Sequence, residues 1–262
     1  MKITFLGSGS AFCHQNFQMN MLIESPDGYK LLIDCGGDIR FSLAEQGLGY
    51  LDIDGVYISH LHADHIGGLE WLAFCSRFDP RYRGKPDLFI SEFLVEDLWT
   101  RSLSGGLASL QNQNNTLADY FTVNAVPKNA TFRTSEAEDS PDYRLIQTIH
   151  VLNGFTLEPS FGLLFETGEK KIFITTDTQY APAQIGDFYS SSDVIFHDCE
   201  CTPFKSGVHA HFNDLSDLHM AVRAKMWLSH YQDGVVDSEE WDKKVADAGF
   251  LGFVKKGQVF EF

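Results

Sequence analysis

The hexapeptide His60-Leu61-His62-Ala63-Asp64-His65 constrains this chain more than any other stretch, because it gathers three imidazoles and a carboxylate within six residues. It follows the apolar run Gly55-Val56-Tyr57-Ile58-Ser59, which reads as a buried strand. It precedes Ile66-Gly67-Gly68-Leu69-Glu70-Trp71-Leu72, which reads as a helix entered through glycine. The four side chains are therefore expected on a strand-to-helix loop, where parallel sheets carry their chemistry. Imidazole nitrogen together with carboxylate oxygen favours zinc, manganese or iron, whereas calcium and magnesium prefer all-oxygen shells. A merely solvated histidine-rich loop is a poor account of a tract wedged between a buried strand and a helix.

These residues resemble the H-x-H-x-D-H signature of the metallo-β-lactamase fold hydrolases. The resemblance implies further ligands in a fixed order: a histidine, a bridging aspartate, and a last histidine near the C-terminus. His150, Asp177 and His230 fill those slots, and each closes an apolar, strand-like run: 143–149, 172–176 and 226–229. Two divalent ions are implied, zinc first with manganese as the alternative. His60, His62 and His150 would hold one, Asp64, His65 and His230 the other, with Asp177 between them. Asp34, in Asp34-Cys35-Gly36, would lie beneath the metal loop and orient it. The implied fold is α/β, an αββα sandwich of two mixed β-sheets flanked by helices, with residues 1–262 as a single domain carrying a loop and helix insertion around 76–125.

Within that family the chain looks most like the tRNase Z-like branch. The strand Lys2 to Leu6 followed by Gly7-Ser8-Gly9-Ser10-Ala11 is similar to that branch's opening, and it lacks the spacing of a dinucleotide or phosphate-loop fingerprint. The segments 207–215 and 225–231 look most like the small phosphodiesterases of the anti-Pycsar type, which cleave cyclic mononucleotides. That branch pairs a histidine-acid element with a later histidine that protonates the leaving oxygen. Carried over residue by residue, Asp198 would be the orienting acid and His209 the proton donor. His211 is a rival, because Ala210-His211 stands where a serine or threonine is usual. Asp64 would double as acceptor of the water proton.

Composition narrows the substrate. The formal net charge is −16, and no lysine-arginine cluster offers a basic face to a polyanion; the most basic patches, Arg77 to Lys85 and Lys243-Lys244, are short. The interval 151–176 leaves no room for the long tRNA-capturing arm of bacterial tRNase Z enzymes. A small phosphate ester remains acceptable, since bound cations reverse the local field. The five cysteines, Cys13, Cys35, Cys75, Cys199 and Cys201, are odd in number and scattered, which argues against a disulfide framework. No apolar stretch approaches a membrane span and the first residues have no signal-peptide layout, so a cytoplasmic protein is expected, with no membrane partner.

Elsewhere the chain predicts hairpins over 19–33 and 161–176, helices over 38–47, 68–77 and 93–103, and strands over 87–90 and 193–196. Gly105-Gly106 and the amide run 111–115 read as loop. Asn213 or Asp214 would cap a helix. Phe17, Tyr180, Phe212 and Tyr231 are candidates for stacking on a base, and His14 reads as solvated. The implied function is hydrolysis of 3′,5′-cyclic mononucleotides (cCMP, cUMP, cAMP, cGMP) to nucleoside monophosphates by a homodimer. The alternatives are an RNA 3′-processing nuclease, a lactone or thioester hydrolase on the same site, and a non-catalytic or redox metal-binding protein.

Overall fold

Along the strand Lys30–Ile33, Leu31 and Ile33 enter one apolar cluster and Leu32 enters another, and all three are fully buried. A strand covered on both faces belongs to an inner layer. In the computed structural model, which describes residues 1–262, two seven-stranded sheets form those layers. The first runs, edge to edge, Val259–Glu261, Lys2–Gly7, Asn20–Glu24, Lys30–Ile33, Gly55–Ile58, Asp87–Ser91 and Thr122–Val126. The second runs Gly252–Phe253, Met226–Ser229, Val194–Asp198, Lys170–Ile174, Ser160–Thr167, Tyr143–Thr148 and Thr131–Phe132. Each sheet joins a parallel half to an antiparallel half, so both are mixed as expected.

Between the sheets lie Phe5, Ile33 and Tyr57 from one and Tyr143, Ile174 and Phe196 from the other. The helices Ile39–Glu45 and Leu69–Phe78 cover the outer face of the first sheet, and Pro182–Ser191 and Glu239–Ala248 cover the second. The helix Leu69–Phe78 buries Leu69, Leu72, Ala73 and Ser76, the i, i+3, i+4, i+7 stripe of a core-facing helix. It is seated by glycine: a Cβ on Gly68 would come within 2.5 Å of the Gly36 carbonyl oxygen, and one on Gly36 within 2.2 Å of the Asp64 carbonyl oxygen. Only a bare backbone lets the Asp34-Cys35-Gly36 turn press against the histidine-rich segment.

Several expectations need correction. Asp64 and His65 do not sit on a loop but in a separate four-residue helix, Ala63–Ile66, ahead of the longer one. The stretch read as an insertion supplies two strands of the first sheet, Asp87–Ser91 and Thr122–Val126, so the excursion from the sheet is narrower than 76–125. Gly105-Gly106 is helical, within Ser104–Leu107, because Gly106 packs directly against the Glu70 carboxylate; tertiary contact overrides poor propensity. The amide run is a small ribbon of Ser109–Leu110 with Gln113–Asn114, held by Arg77 donating to Gln113 Oε1 (2.8 Å) and Asn115 Oδ1 (3.2 Å). Phe212 and Tyr231 are core residues, packed against Trp241 and Phe253 respectively, and not available to stack on a base.

Candidate metal centre

Strand ends place the chemistry. Asp34 follows Lys30–Ile33, His60 and His62 follow Gly55–Ile58, His150 follows Tyr143–Thr148, and Asp177 follows Lys170–Ile174. Asp198 ends Val194–Asp198, and His230 follows Met226–Ser229. The C-terminal edges of both sheets therefore face one another across a single cluster, as open α/β sheets require of a site. Three of these turns force non-glycine residues into the left-handed region: Asp34 (φ 60°), Thr176 (φ 52°) and His230 (φ 63°). Such strain, costliest for the β-branched threonine, persists where the surroundings fix it. Part of the fixing comes from the opening turn: the Ser8 carbonyl accepts from His230 N–H (2.8 Å), and Ser10 N–H donates to the Tyr231 carbonyl (3.0 Å).

All seven ligand candidates converge, in two groups that share Asp177. His60, His62, His150 and Asp177 form one; Asp64, His65, Asp177 and His230 form the other, with donor atoms within 4.8 Å of one another in each. In the first, His62 Nδ1 lies 3.1 Å from His60 Nε2 and 3.2 Å from His150 Nε2. In the second, His65 Nε2 lies 3.2 Å from Asp64 Oδ2 and 3.3 Å from Asp177 Oδ2, and His230 Nε2 lies 3.4 Å from both Asp64 Oδ2 and Asp177 Oδ1. A tetrahedral shell with bonds of about 2.1 Å has edges of about 3.4 Å. Despite this crowding, His65 Nε2 and Asp177 Oδ1 are buried without a hydrogen-bond partner, an expensive arrangement unless a cation satisfies them. The cluster is able to hold metal.

Outer contacts fix the His65, His60 and His150 rings. Asp34 Oδ2 accepts from His65 Nδ1 (2.7 Å) and from Ser59 Oγ (2.7 Å), while Ser59 N–H donates to Oδ1 (2.8 Å). Ser59 Oγ in turn accepts from His60 Nδ1 (3.0 Å), and the Val208 carbonyl accepts from His150 Nδ1 (2.8 Å). Each of these three imidazoles thereby presents its Nε2 to the cluster.

The family model "Anti-Pycsar protein Apyc1" matches residues 1–260. The chain belongs to that family. An anti-Pycsar protein Apyc1 of Paenibacillus harenae is 38 % identical over 90 % of this chain and 91 % of its own length. Another, from Bacillus phage 010DV004, is 34 % identical over 99 % of this chain and 98 % of its own length. The metallo-β-lactamase fold protein YhfI of Bacillus subtilis superposes with a TM-score of 0.74 at 19 % identity, covering 100 % of this chain and 99 % of that one. The expected family and fold are thus borne out, and the protein is a metal-dependent hydrolase of the anti-Pycsar family with the metallo-β-lactamase fold.

In this anti-Pycsar family member the two rival histidines part company. His209 Nδ1 donates to Asp198 Oδ2 at 2.7 Å and lies 4.0 Å from Asp177 Oδ2, at the edge of the cluster. Asp198 also accepts from Thr178 N–H (2.9 Å), and its other oxygen lies 3.4 Å from His230 Nδ1. Burial opposes a charged His209, but the Asp198 carboxylate outweighs it and raises the imidazole pKa above its ordinary value. His211 instead caps the helix Phe212–Leu215: its Nδ1 accepts from Asn213 N–H (3.2 Å) and its Nε2 donates to the Thr202 carbonyl (2.9 Å). With both nitrogens engaged, it lies outside the ligand groups. The cap expected at Asn213 or Asp214 is thus His211.

A cleft of about 300 Å³ opens beside the first group, floored by His60, His62 and His150. Arg101, Ser102 and Glu158 wall it, none of them singled out by the sequence. A cleft of about 480 Å³ between 138–144 and 164–171 contains no candidate ligand.

Proposed function

We propose that the protein hydrolyses 3′,5′-cyclic mononucleotides to nucleoside monophosphates at a dinuclear centre. The observation that carries the reading is that Asp177 belongs to both ligand groups while the His209–Asp198 dyad, which closes a third group with Asp177 and His230, stands at their edge. His60, His62 and His150 would hold one ion, Asp64, His65 and His230 the other, and Asp177 both. The bound divalent ions, zinc first with manganese as the alternative, supply Lewis acidity toward water and the phosphoryl oxygens. Asp64, whose Oδ2 lies 3.2 Å from His65 Nε2 and 3.4 Å from His230 Nε2, accepts the proton that the attacking water gives up.

His209 is the proton donor to the departing ester oxygen, which would otherwise leave as an alkoxide. Its Nδ1–H is engaged by Asp198, so Nε2 delivers the proton. His211 takes no part. A cyclic mononucleotide carries a single phosphate charge, which the net charge of −16 tolerates better than a long polyanion. The reading further takes the chain as one domain, homodimeric and cytoplasmic.

The test is turnover of the four cyclic mononucleotides beside bis-p-nitrophenyl phosphate, with zinc or manganese, for wild type, His62→Ala and His209→Ala. Ring opening by wild type and its loss in both variants is the expected result. A metal-loaded wild type that cleaves only the chromogenic diester would mean that the substrate is wrong, and one that cleaves neither would remove the hydrolytic assignment.

A further inference from the structure

The helical segment above the cleft carries an irregularity. Between Val95–Asp97 and Ser104–Leu107 the chain makes a π-helical turn, Leu98–Leu103. The leucines that root this segment in the core are Leu94, Leu98, Leu103 and Leu107, all buried. Their spacing is four, five, four: the five-residue step accommodates one residue more than an α-helix would between the same anchors. The two side chains in that widened turn that reach the cleft are Arg101 and Ser102, both exposed. Asp97, one turn earlier, holds the Arg101 guanidinium at 3.1 Å.

The charge pattern of the cleft wall does not make a second phosphate site. Arg101 is the one cation along its wall, and Asp97 and Glu158 are two carboxylates facing the same space. Along that wall, away from the ligand cluster on the floor, an anionic group would meet two carboxylates and one cation. What suits a fork of N–H donors on one wall and a carboxylate on the other is a neutral polar heterocycle, whose edge presents both acceptors and donors. The volume, about 300 Å³, lies at the lower end of small-ligand sites, which run from about 300 to 1,000 Å³. Because the floor is His60, His62 and His150, a molecule whose phosphoryl group lies on the ligand cluster would extend its remaining part into this space.

We propose that this cleft is the nucleobase subsite and that Arg101, presented by the π-helical turn, is a specificity-determining residue; the proposal rests on the cyclic nucleotide reading. The guanidinium fork pairs with two neighbouring acceptors, as guanine (O6, N7) and cytosine (O2, N3) offer; adenine places an amino donor beside N7. Guanine and cytosine substrates are therefore selected over adenine ones, and Asp97 orients the fork.

The test compares wild type with Arg101→Ala and Arg101→Lys for kcat and KM on cCMP, cGMP and cAMP and on bis-p-nitrophenyl phosphate. It also measures inhibition of chromogenic turnover by CMP and by AMP. Arg101 is exposed, so neither variant threatens folding. In Arg101→Ala, the cCMP-to-cAMP ratio of kcat/KM is expected to fall about tenfold, through KM, and CMP inhibition to weaken by a similar factor. Arg101→Lys, a point charge without the fork, is expected not to restore the ratio. An unchanged ratio with unchanged CMP inhibition overturns the proposal, as does a loss on the chromogenic diester equal to that on the nucleotides, which would put Arg101 at the phosphoryl group. If wild type cleaves bis-p-nitrophenyl phosphate but no cyclic nucleotide, the functional reading fails, and the CMP and AMP inhibition constants still report on the subsite.

Discussion

The two donor groups share Asp177 yet are built on different principles. The open one is three imidazoles and the shared carboxylate, with His62 exposed and the cleft directly above. Its histidines favour the neutral form: burial lowers all three pKa values, and at His60 the neighbouring His65 lowers it further. The buried group is Asp64, His65, Asp177 and His230, all inaccessible. Behind it stand two more carboxylates, Asp34 on His65 and Asp198 on His230. There burial also opposes the charged imidazole, but the surrounding carboxylates prevail and raise both histidines well above their ordinary value. A site with that much negative charge in a dry setting retains a cation strongly. The difference implies a division of labour: with metal bound, the buried group would keep its ion, and the open group would exchange its ion and meet the substrate.

The largest effect should come from removing what the groups share. Asp177→Asn keeps the volume but takes a charge from both, and should reduce bound metal at both and turnover by at least about 10³-fold. Elemental analysis beside kinetics reads both effects. A variant that retained full metal and activity would show that Asp177 is not shared.

Unequal loss is the next test. His62→Ala should leave one ion bound per chain, whereas His65→Ala should leave none or a weakly held one, with each variant's turnover down by about 10²-fold or more. A chelator titration of wild type should likewise remove one equivalent before the other. Equal stoichiometry in the two variants, together with a single-phase titration, would erase the distinction between open and buried groups.

Asp34→Asn probes the support of the buried group alone. Losing the carboxylate that accepts from His65 and Ser59 should weaken the buried ion by about 10–100-fold while the open group changes less. Because Ser59 also reaches His60, a loss spread evenly over both ions would show that the Ser59 hydroxyl couples them.

How much of this was legible in the sequence depends on whether a residue's role is local. The histidine tract was readable because ligands following an apolar run are a contiguous signal, and inner-layer strands such as Val56-Tyr57-Ile58 are apolar on both faces; His150, Asp177 and His230 were located through the resemblance, with the apolar runs before them as support. Asp34 and Asp198 came through the resemblance and not through periodicity. Ser59 and Arg101 were missed for different reasons. Ser59 looks like any residue closing a strand, and only the three-dimensional contact to Asp34 and His60 gives it a task. Arg101 required noticing the four, five, four leucine spacing, which standard helical periodicity discards as noise. The helices Pro182–Ser191 and Glu239–Ala248 were not singled out, although Pro182 at the helix start and Gly249 just past the end of the second are ordinary signals.

The smallest effect belongs to the histidine that lies outside both groups. His211 satisfies one backbone N–H at the start of Phe212–Leu215 and one carbonyl at Thr202, so its removal costs a cap and a hydrogen bond, about 1–2 kcal/mol. In a chain of this size that corresponds to a fall in Tm of a few degrees, roughly 2–4 °C per kcal/mol. The metal content of His211→Ala should match wild type, and its turnover at 25 °C should stay within about twofold. His209→Ala should differ in kind: it also removes a partner from the buried Asp198, so some Tm is lost, but turnover falls by about 10²-fold or more at a temperature where the variant is fully folded. The pair separates two histidines that differ by a single intervening alanine: if His211→Ala lost turnover without losing stability, the proton-donor role would have to move to it, and the cap would be a resting arrangement.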